Sequence, residues 1–378
     1  MINSVPYLAV SIPTYNRSKY LNKCLASVIA EIETAGLSAD VVIDISDNAS
    51  TDDTEAIVQN ISIQHPSVTI HYSKNKENVG AVNNFIHLTE ISGALYTFIL
   101  GDDDELVEGS LSKVVHTIKE NPEVLIHHYK CKQTDFIPAG MPPEKMNPFD
   151  GAEKYFYNIG NAGTFIFNTE KAQQIVKEKK ARLALTCWPQ TEIMFLMLME
   201  DKTKPLFLVS GIELVSSESH GENVSYNSWY ILETFCFSLL RIAQNISADY
   251  SEPAFIKAAK KAIPGTRYSV KYFFRFLLFI TYYDYGYELA KTAELVTDNK
   301  AYLKGSNRFY PTTYSLLLSF PTWLKKSLTA FYFFVSKPSF KKSTFETQYR
   351  EVRAYQQKKF DLYKQKGKLT EDTERYIY

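Results

Sequence analysis

Leu95-Tyr96-Thr97-Phe98-Ile99-Leu100-Gly101-Asp102-Asp103-Asp104 is the stretch that decides how this chain folds. Its first six residues form a short apolar run rich in aromatic and β-branched side chains, which reads as a buried strand. Three carboxylates follow where that strand ends, after a single glycine. Like charges at contact distance raise one another's pKa unless a cation is shared among them. A hard divalent ion, Mg²⁺ or Mn²⁺, resolves the repulsion because it prefers carboxylate and phosphate oxygens. The carboxyl end of a strand is also where ligands bind in open α/β sheets. The plain alternative is a solvated acidic turn leading into a helix whose first turn favours acids.

Outward from that strand, the same signal recurs with helical stretches between. Tyr7–Ile12 reads as a first strand stopping at Pro13, and Tyr20–Ala35 places Leu21, Leu25, Val28 and Ile32 on one helical face. Val41–Ile45 is a second strand, and Thr51-Asp52-Asp53-Thr54 caps a helix through Ile61. Val68–Tyr72 is a third strand, and Asn78-Val79-Gly80 opens a helix through Ile91. Strands alternating with helices imply a largely parallel βαβ sheet. Val124–Tyr129 and Thr164–Asn168 read as further strands, separated by a loop around Pro138, Pro142, Pro143 and Pro148, and Leu206–Val215 adds one or two more. From Tyr226 the pattern turns to long helical, aromatic and basic stretches. The expected division is therefore a catalytic α/β domain over 1–225 and a mainly α-helical region over 226–378.

The 378 residues carry no net charge, yet the charge is uneven. Residues 1–256 hold 19 Lys and Arg against 32 Asp and Glu, a net of −13, while 257–378 hold 23 against 10, a net of +13. Such asymmetry suggests separate partners for the two parts. Cys24, Cys131, Cys187 and Cys236 are far apart with no CxxC pair, so neither a zinc site nor a disulfide framework is indicated. No basic n-region or small-residue cleavage site marks the N-terminus, so the expected location is cytoplasmic.

Four stretches occur in an order and spacing that resemble the bacterial family 2 glycosyltransferases: Val10-Ser11-Ile12-Pro13-Thr14-Tyr15-Asn16-Arg17, Ser46-Asp47-Asn48-Ala49-Ser50-Thr51-Asp52, Asn78-Val79-Gly80-Ala81-Val82-Asn83-Asn84 and Gly101-Asp102-Asp103-Asp104-Glu105-Leu106. The resemblance covers the first ~110 residues tightly and a similar length beyond loosely. It implies a GT-A fold, a Rossmann-like mixed sheet flanked by helices. It also implies inverting transfer of a sugar from a nucleotide-sugar, UDP-linked by expectation, to a saccharide acceptor in capsule or O-antigen synthesis. By the same resemblance Pro13, Thr14 and Tyr15 hold the base and Arg17 meets a phosphate. Asp47 accepts from the uracil ring N–H, Asn78 and Gly80 shape a helix N-terminus that favours anionic groups, and Asn83 faces the sugar. The aspartates carry a DXD motif in one of two registers. A literal reading pairs Asp102 with Asp104. Alignment back from Leu106 puts Gly101 in the first acidic position and leaves Asp103 and Asp104 as metal ligands, with Asp102 reaching the ribose. Glu192, in Thr186-Cys187-Trp188-Pro189-Gln190-Thr191-Glu192, matches the family's base, although the usual Glu-Asp pair is missing. His220 matches a third metal ligand, and Trp188 with 160–164 borders the acceptor.

Two other functions fit the same residues. A nucleotidyltransferase also joins an α/β sheet to a carboxylate-bound metal, but would carry a Gly-rich, Lys-bearing loop where Pro13–Arg17 stands. A non-catalytic membrane-surface module would keep the fold alone. Lys271–Tyr283 and Tyr314–Val335 are too short or too interrupted to span a bilayer. Their aromatics with flanking Lys and Arg suit either an anionic membrane interface, which fits a polyprenyl-linked acceptor and a peripheral inner-face location, or a helical bundle packed on the catalytic domain or another subunit. Nucleic acid is not an expected partner, since no binding motif appears.

Overall fold

The computed structural model describes residues 5–134, 136–155, 162–184, 186–201, 203–217, 239–251, 316 and 319–335. In chain order the elements are β1 (Leu8–Thr14), α1 (Ser18–Thr34), β2 (Val41–Asp47), α2 (Thr54–Gln64), β3 (Ile70–Lys74), α3 (Ala81–Ile91) and β4 (Tyr96–Ile99). There follow β5 (Glu105–Leu106), α4 (Ser110–Glu120), β6 (Ile126–Cys131), β7 (Glu144–Met146), α5 (Pro148–Tyr155) and β8 (Phe165–Asn168). Next come α6 (Thr169–Leu183), α7 (Pro189–Leu198), β9 (Phe207–Ser216), α8 (Leu239–Tyr250) and α9 (Thr322–Val335).

The sheet runs β3-β2-β1-β4-β8-β6-β9-β5, with β7 paired to β9. Strands β3, β2, β1 and β4 are mutually parallel. Beyond them the sheet is mixed: β8 is antiparallel to both β4 and β6, β6 is parallel to β9, and β5 and β7 run antiparallel to β9. The expected parallel arrangement thus holds for the first half, and β8 reverses it. Strands β1, β2 and β4 are buried on both faces, which is why they read as nearly continuous apolar runs. The core on one face joins Val10, Ile12, Ile43, Ile45 and Phe98 to Leu21, Leu25, Val28 and Ile32 of α1 and Val114 and Ile118 of α4.

The chain adds β2 and then β3 on one side of β1, and returns to lay β4 on the other. That reversal leaves a crevice at the carboxyl ends of β1 and β4. β1 also passes through Pro13 to Thr14 rather than stopping at the proline. The missing N–H is harmless there, because the pairing with β4 has already ended at Ser11–Ile99 and only β2 lies alongside. The proline-rich loop contains β7 and α5, short elements whose pairing with β9 and packing on Phe207 are tertiary in origin. Buried Glu31 of α1 caps the start of α4, accepting from Gly109 N at 2.7 Å and Leu111 N at 3.0 Å.

By its contacts the chain divides into two units, residues 1–218 with 245–258, and 219–244 with 259–378. Residues 245–258 fall with the first unit. Among the described residues no helix is long and apolar enough to cross a membrane.

Two adjacent histidines sit in the middle of β6. His127 stacks beside Tyr129 and meets the edge of Tyr96; His128 lies 4.0 Å from the Phe165 ring. Both rings are buried, and burial pushes each down to about 3. Unfolded, each protonates near 6.5. Stability is therefore lost as pH falls below about 6.5 and continues to fall toward 3, by up to about 1.4 kcal/mol per pH unit for each ring. Urea unfolding followed from pH 7 to pH 4 is expected to show a steeper acid loss in the native chain than in His127→Leu/His128→Leu. Equal slopes would show that the rings are not buried in their neutral form.

Candidate active site

The turns after β1 and β4 meet at the crevice. Thr14 Oγ1 donates to Asp102 Oδ2 at 2.8 Å, and Arg17 Nη1 to Asp102 Oδ1 at 2.9 Å. The second guanidinium nitrogen of Arg17 reaches Asp103 Oδ2 at 2.7 Å. Asp102 is 4% exposed and both its oxygens are taken. These two bonds make Asp102 a buried support that aims Arg17. Asp104 Oδ1 accepts from Ser217 Oγ at 2.5 Å.

One guanidinium does not balance three carboxylates. Burial pushes Asp102 up to about 7, against the opposing pull of Arg17 and Thr14. Burial likewise raises Asp104 to about 6, with Ser217 opposing and Asp103 adding to the rise. For Arg17 burial acts to lower the pKa, but Asp102 and Asp103 together hold it above its ordinary value. Two of the three carboxyls therefore hold a proton more readily than an ordinary carboxylate.

The fit of a divalent ion can be tested on the oxygens left after the Arg17 and Ser217 bonds, Asp103 Oδ1 and Asp104 Oδ2. Both flank Gly101: a Cβ built there would stand 3.0 Å from the first and 2.9 Å from the second. Two hard oxygens converge beside a residue with no side chain, a donor set that suits Mg²⁺ or Mn²⁺. Among the described residues no group of three His, Cys, Asp or Glu forms a complete cage, so other ligands such as diphosphate oxygens and water are needed. His220 lies outside the described residues.

On the other side of the crevice Asp47 is fully buried. Its Oδ1 accepts from Ser50 N at 2.7 Å and its Oδ2 from the Tyr72 hydroxyl at 2.5 Å. It thereby ties the turn after β2 to β3. The loop before α3 is held by amides: Asn48 Nδ2 donates to Asn78 Oδ1 at 2.7 Å, and Asn48 Oδ1 accepts from Val79 N at 2.9 Å. Gly80 N donates to Asn78 Oδ1 at 2.9 Å. Gly80 takes φ +83°, which explains glycine at the start of α3. Asn83 is exposed and donates to Val79 O in the loop before α3, whereas its neighbour Asn84 is buried and links Ser46 to Asn75. Pro13 and Tyr15 are half-buried at the same edge. Sequence reasoning missed Tyr72, Asn48, Asn75 and Asn84. Only Asn84, a polar residue on the buried face of an amphipathic helix, left a signal.

Glu192 heads α7 with its side chain fully buried. Its Oε1 accepts from Arg182 Nε, and Arg182 also holds Asp249 at 2.7 Å. Burial raises the Glu192 carboxyl above its ordinary range, with Arg182 opposing. As it stands, this carboxylate fastens α6 to α7 and is closed to solvent. Trp188 is half-buried just before α7. Gly163, from the stretch expected to border the acceptor, lies beside the acidic turn: a Cβ there would be 3.1 Å from Asp104 Oδ2.

The sheet order and the crevice at the β1/β4 reversal define a GT-A fold, and solved structures agree. The chain superposes on Staphylococcus aureus TarS with a TM-score of 0.52 at 18% identity, covering 71% of this chain and 45% of that one. It superposes on TarS residues 1–349 in complex with UDP with a TM-score of 0.52 at 13% identity, covering 76% and 80%. Residues 9–168 match the family described as glycosyl transferase family 2. The chain is 35% identical over 151 residues to abequosyltransferase RfbV of Salmonella typhimurium, covering 40% of this chain and 44% of the relative. It is 33% identical over 116 residues to the GalNAc(5)-diNAcBac-PP-undecaprenol beta-1,3-glucosyltransferase of Campylobacter jejuni, covering 31% and 36%. The matched stretch spans less than half the length of these two relatives.

Gly163 has no left-handed backbone, so alanine is tolerated there except for its methyl against Asp104. Gly163→Ala is expected to weaken the Mn²⁺-dependent thermal shift with UDP by several-fold while the melting temperature without ligand stays within about 2 °C. An unchanged metal response would place the ion away from Asp104.

Proposed function

We propose that this protein is a metal-dependent glycosyltransferase that moves a sugar from a nucleotide-sugar, UDP-linked, to a saccharide acceptor on a polyprenyl carrier in surface-polysaccharide synthesis, with inversion at the anomeric carbon. The observation that carries the reading is the pair Asp103 Oδ1 and Asp104 Oδ2 converging beside Gly101, next to an arginine already aimed by Asp102. The family of residues 9–168 supports glycosyl transfer. The relative named for PP-undecaprenol supports the lipid-linked acceptor.

Each residue has a definable task. Asp103 and Asp104 would hold Mn²⁺ or Mg²⁺, which offsets charge on the departing diphosphate. Arg17, partly exposed and hinged on Asp102, turns its free edge to a phosphate oxygen. Pro13, Thr14 and Tyr15 form the edge on which the base rests, and Asp47 with Tyr72 sets the floor beneath it. Asn78 and Gly80 fix the start of α3, whose N-terminus favours the nucleotide's anionic groups, with Asn83 on the sugar side. During transfer the acceptor oxygen bonds to the anomeric carbon, the bond to the diphosphate breaks, and the hydroxyl proton passes to Glu192. Burial makes Glu192 a stronger base than an ordinary carboxylate, but it can accept that proton only once the Arg182 pair opens to the acceptor.

An anionic membrane surface is the second proposed partner, with the protein at the cytoplasmic face. Its support is α9, where Trp323 and Phe331, eight residues apart, are 68% and 64% exposed in a region of net positive charge.

Asp103→Ala and Asp104→Ala are expected to abolish transfer and the Mn²⁺-dependent part of UDP binding. A thermal-shift panel of UDP, GDP, CMP and dTDP, each with and without Mn²⁺, separates the alternatives. No metal effect with any nucleotide would favour a non-catalytic module. Glu192→Gln is expected to lower kcat by 10²–10⁴-fold and leave the UDP dissociation constant unchanged. Persistent transfer would limit Glu192 to its ion pair with Arg182.

A further inference from the structure

The carboxylate of Asp104 is held from a strand remote in sequence. β5 pairs antiparallel with β9, Glu105 opposite Ser216 and Leu106 opposite Val215. That register carries Asp104, one residue before β5, opposite Ser217, one residue past β9. Ser217 Oγ donates to Asp104 Oδ1 at 2.5 Å. Ser217 is itself fixed by Gln133, in the turn after β6. Gln133 Oε1 accepts from Ser217 N at 2.9 Å, and Gln133 Nε2 donates to Ser216 Oγ at 2.8 Å. One amide thus spans two consecutive residues at the end of β9.

The bond selects which Asp104 oxygen remains for a ligand. With Oδ1 turned to Ser217, Oδ2 lies between the two sites without side chains, 2.9 Å from a Cβ built on Gly101 and 3.1 Å from one built on Gly163. Without the hydroxyl, the carboxylate plane is free to turn about Cβ–Cγ, and only orientations close to the one held by Ser217 present an oxygen beside Asp103 Oδ1. Partners that orient a metal ligand commonly change metal affinity by 10–100-fold.

We propose that Ser217 and Gln133 are positioning residues for a divalent ion at Asp103 and Asp104, acting as a latch from β6 and β9 onto the acidic turn. The inference rests on the metal reading of that turn. Mn²⁺ binding to the full chain with saturating UDP, followed by the EPR signal of the free ion, tests it. Ser217→Ala and Gln133→Ala are expected to weaken Mn²⁺ by about 10-fold, with UDP binding in the absence of metal unchanged. Ser217→Thr, which keeps the hydroxyl, is expected to restore the affinity. Three results would overturn the latch. The first is wild-type Mn²⁺ affinity in Ser217→Ala and Gln133→Ala while Asp104→Asn loses it, which leaves the metal reading standing. The second is a loss that tracks a lowered melting temperature and is not rescued by threonine. The third is undiminished Mn²⁺ binding in both Asp103→Asn and Asp104→Asn, which removes the metal site itself.

Discussion

Three carboxylates share one arginine where β1 and β4 end, and the other features of the site follow from that imbalance. The turn is buried enough to raise two of the carboxyls, yet Arg17 bonds two of the three. Asp102 is consumed in the support, held by Thr14 from below and by Arg17 from the side. Asp103 and Asp104 are left with one oxygen each turned to the same side of Gly101. A side chain at position 101 would occupy the ground where those oxygens converge.

Sheet topology makes this geometry possible. Because β2 and β3 are laid on one side of β1 and β4 on the other, the loops after β1 and β4 diverge and open a crevice between them. Helices on both faces bury the strands, so the loops project from a rigid base. The amide network of Asn48, Asn75, Asn78 and Asn84 does the same for the far wall, tying the end of β2 to the start of α3.

What could be read from the sequence was whatever depends on neighbours along the chain. The strands that carry Val10, Ile43 and Phe98, the helix of Leu21 to Ile32 and the acidic turn are all local patterns, and they appear where the periodicity placed them. Thr14, Arg17 and Asp102 were each legible as site residues through the family resemblance, and the strand ends of a parallel sheet bring them to one edge. Their division of labour was not. That Asp102 would be spent on Arg17, or that Glu192 would be sealed against Arg182, depends on burial that a motif does not encode. Ser217 meets Asp104 across 113 residues and Gln133 meets Ser217 across 84, so no local signal pointed to either. The short strands β5 and β7 escaped for a similar reason, since each exists only through its pairing with β9.

The central claim is that the acidic turn grips a divalent ion which in turn holds a sugar donor's diphosphate. The direct measurement is an anomalous difference map from crystals soaked with Mn²⁺ and UDP. The account predicts a peak in contact with Asp103 Oδ1 and Asp104 Oδ2 beside Gly101, bridged to the UDP phosphates, with Arg17 still bonded to Asp102. UDP lodged in the crevice with no metal peak at that turn, or bound elsewhere altogether, would contradict it.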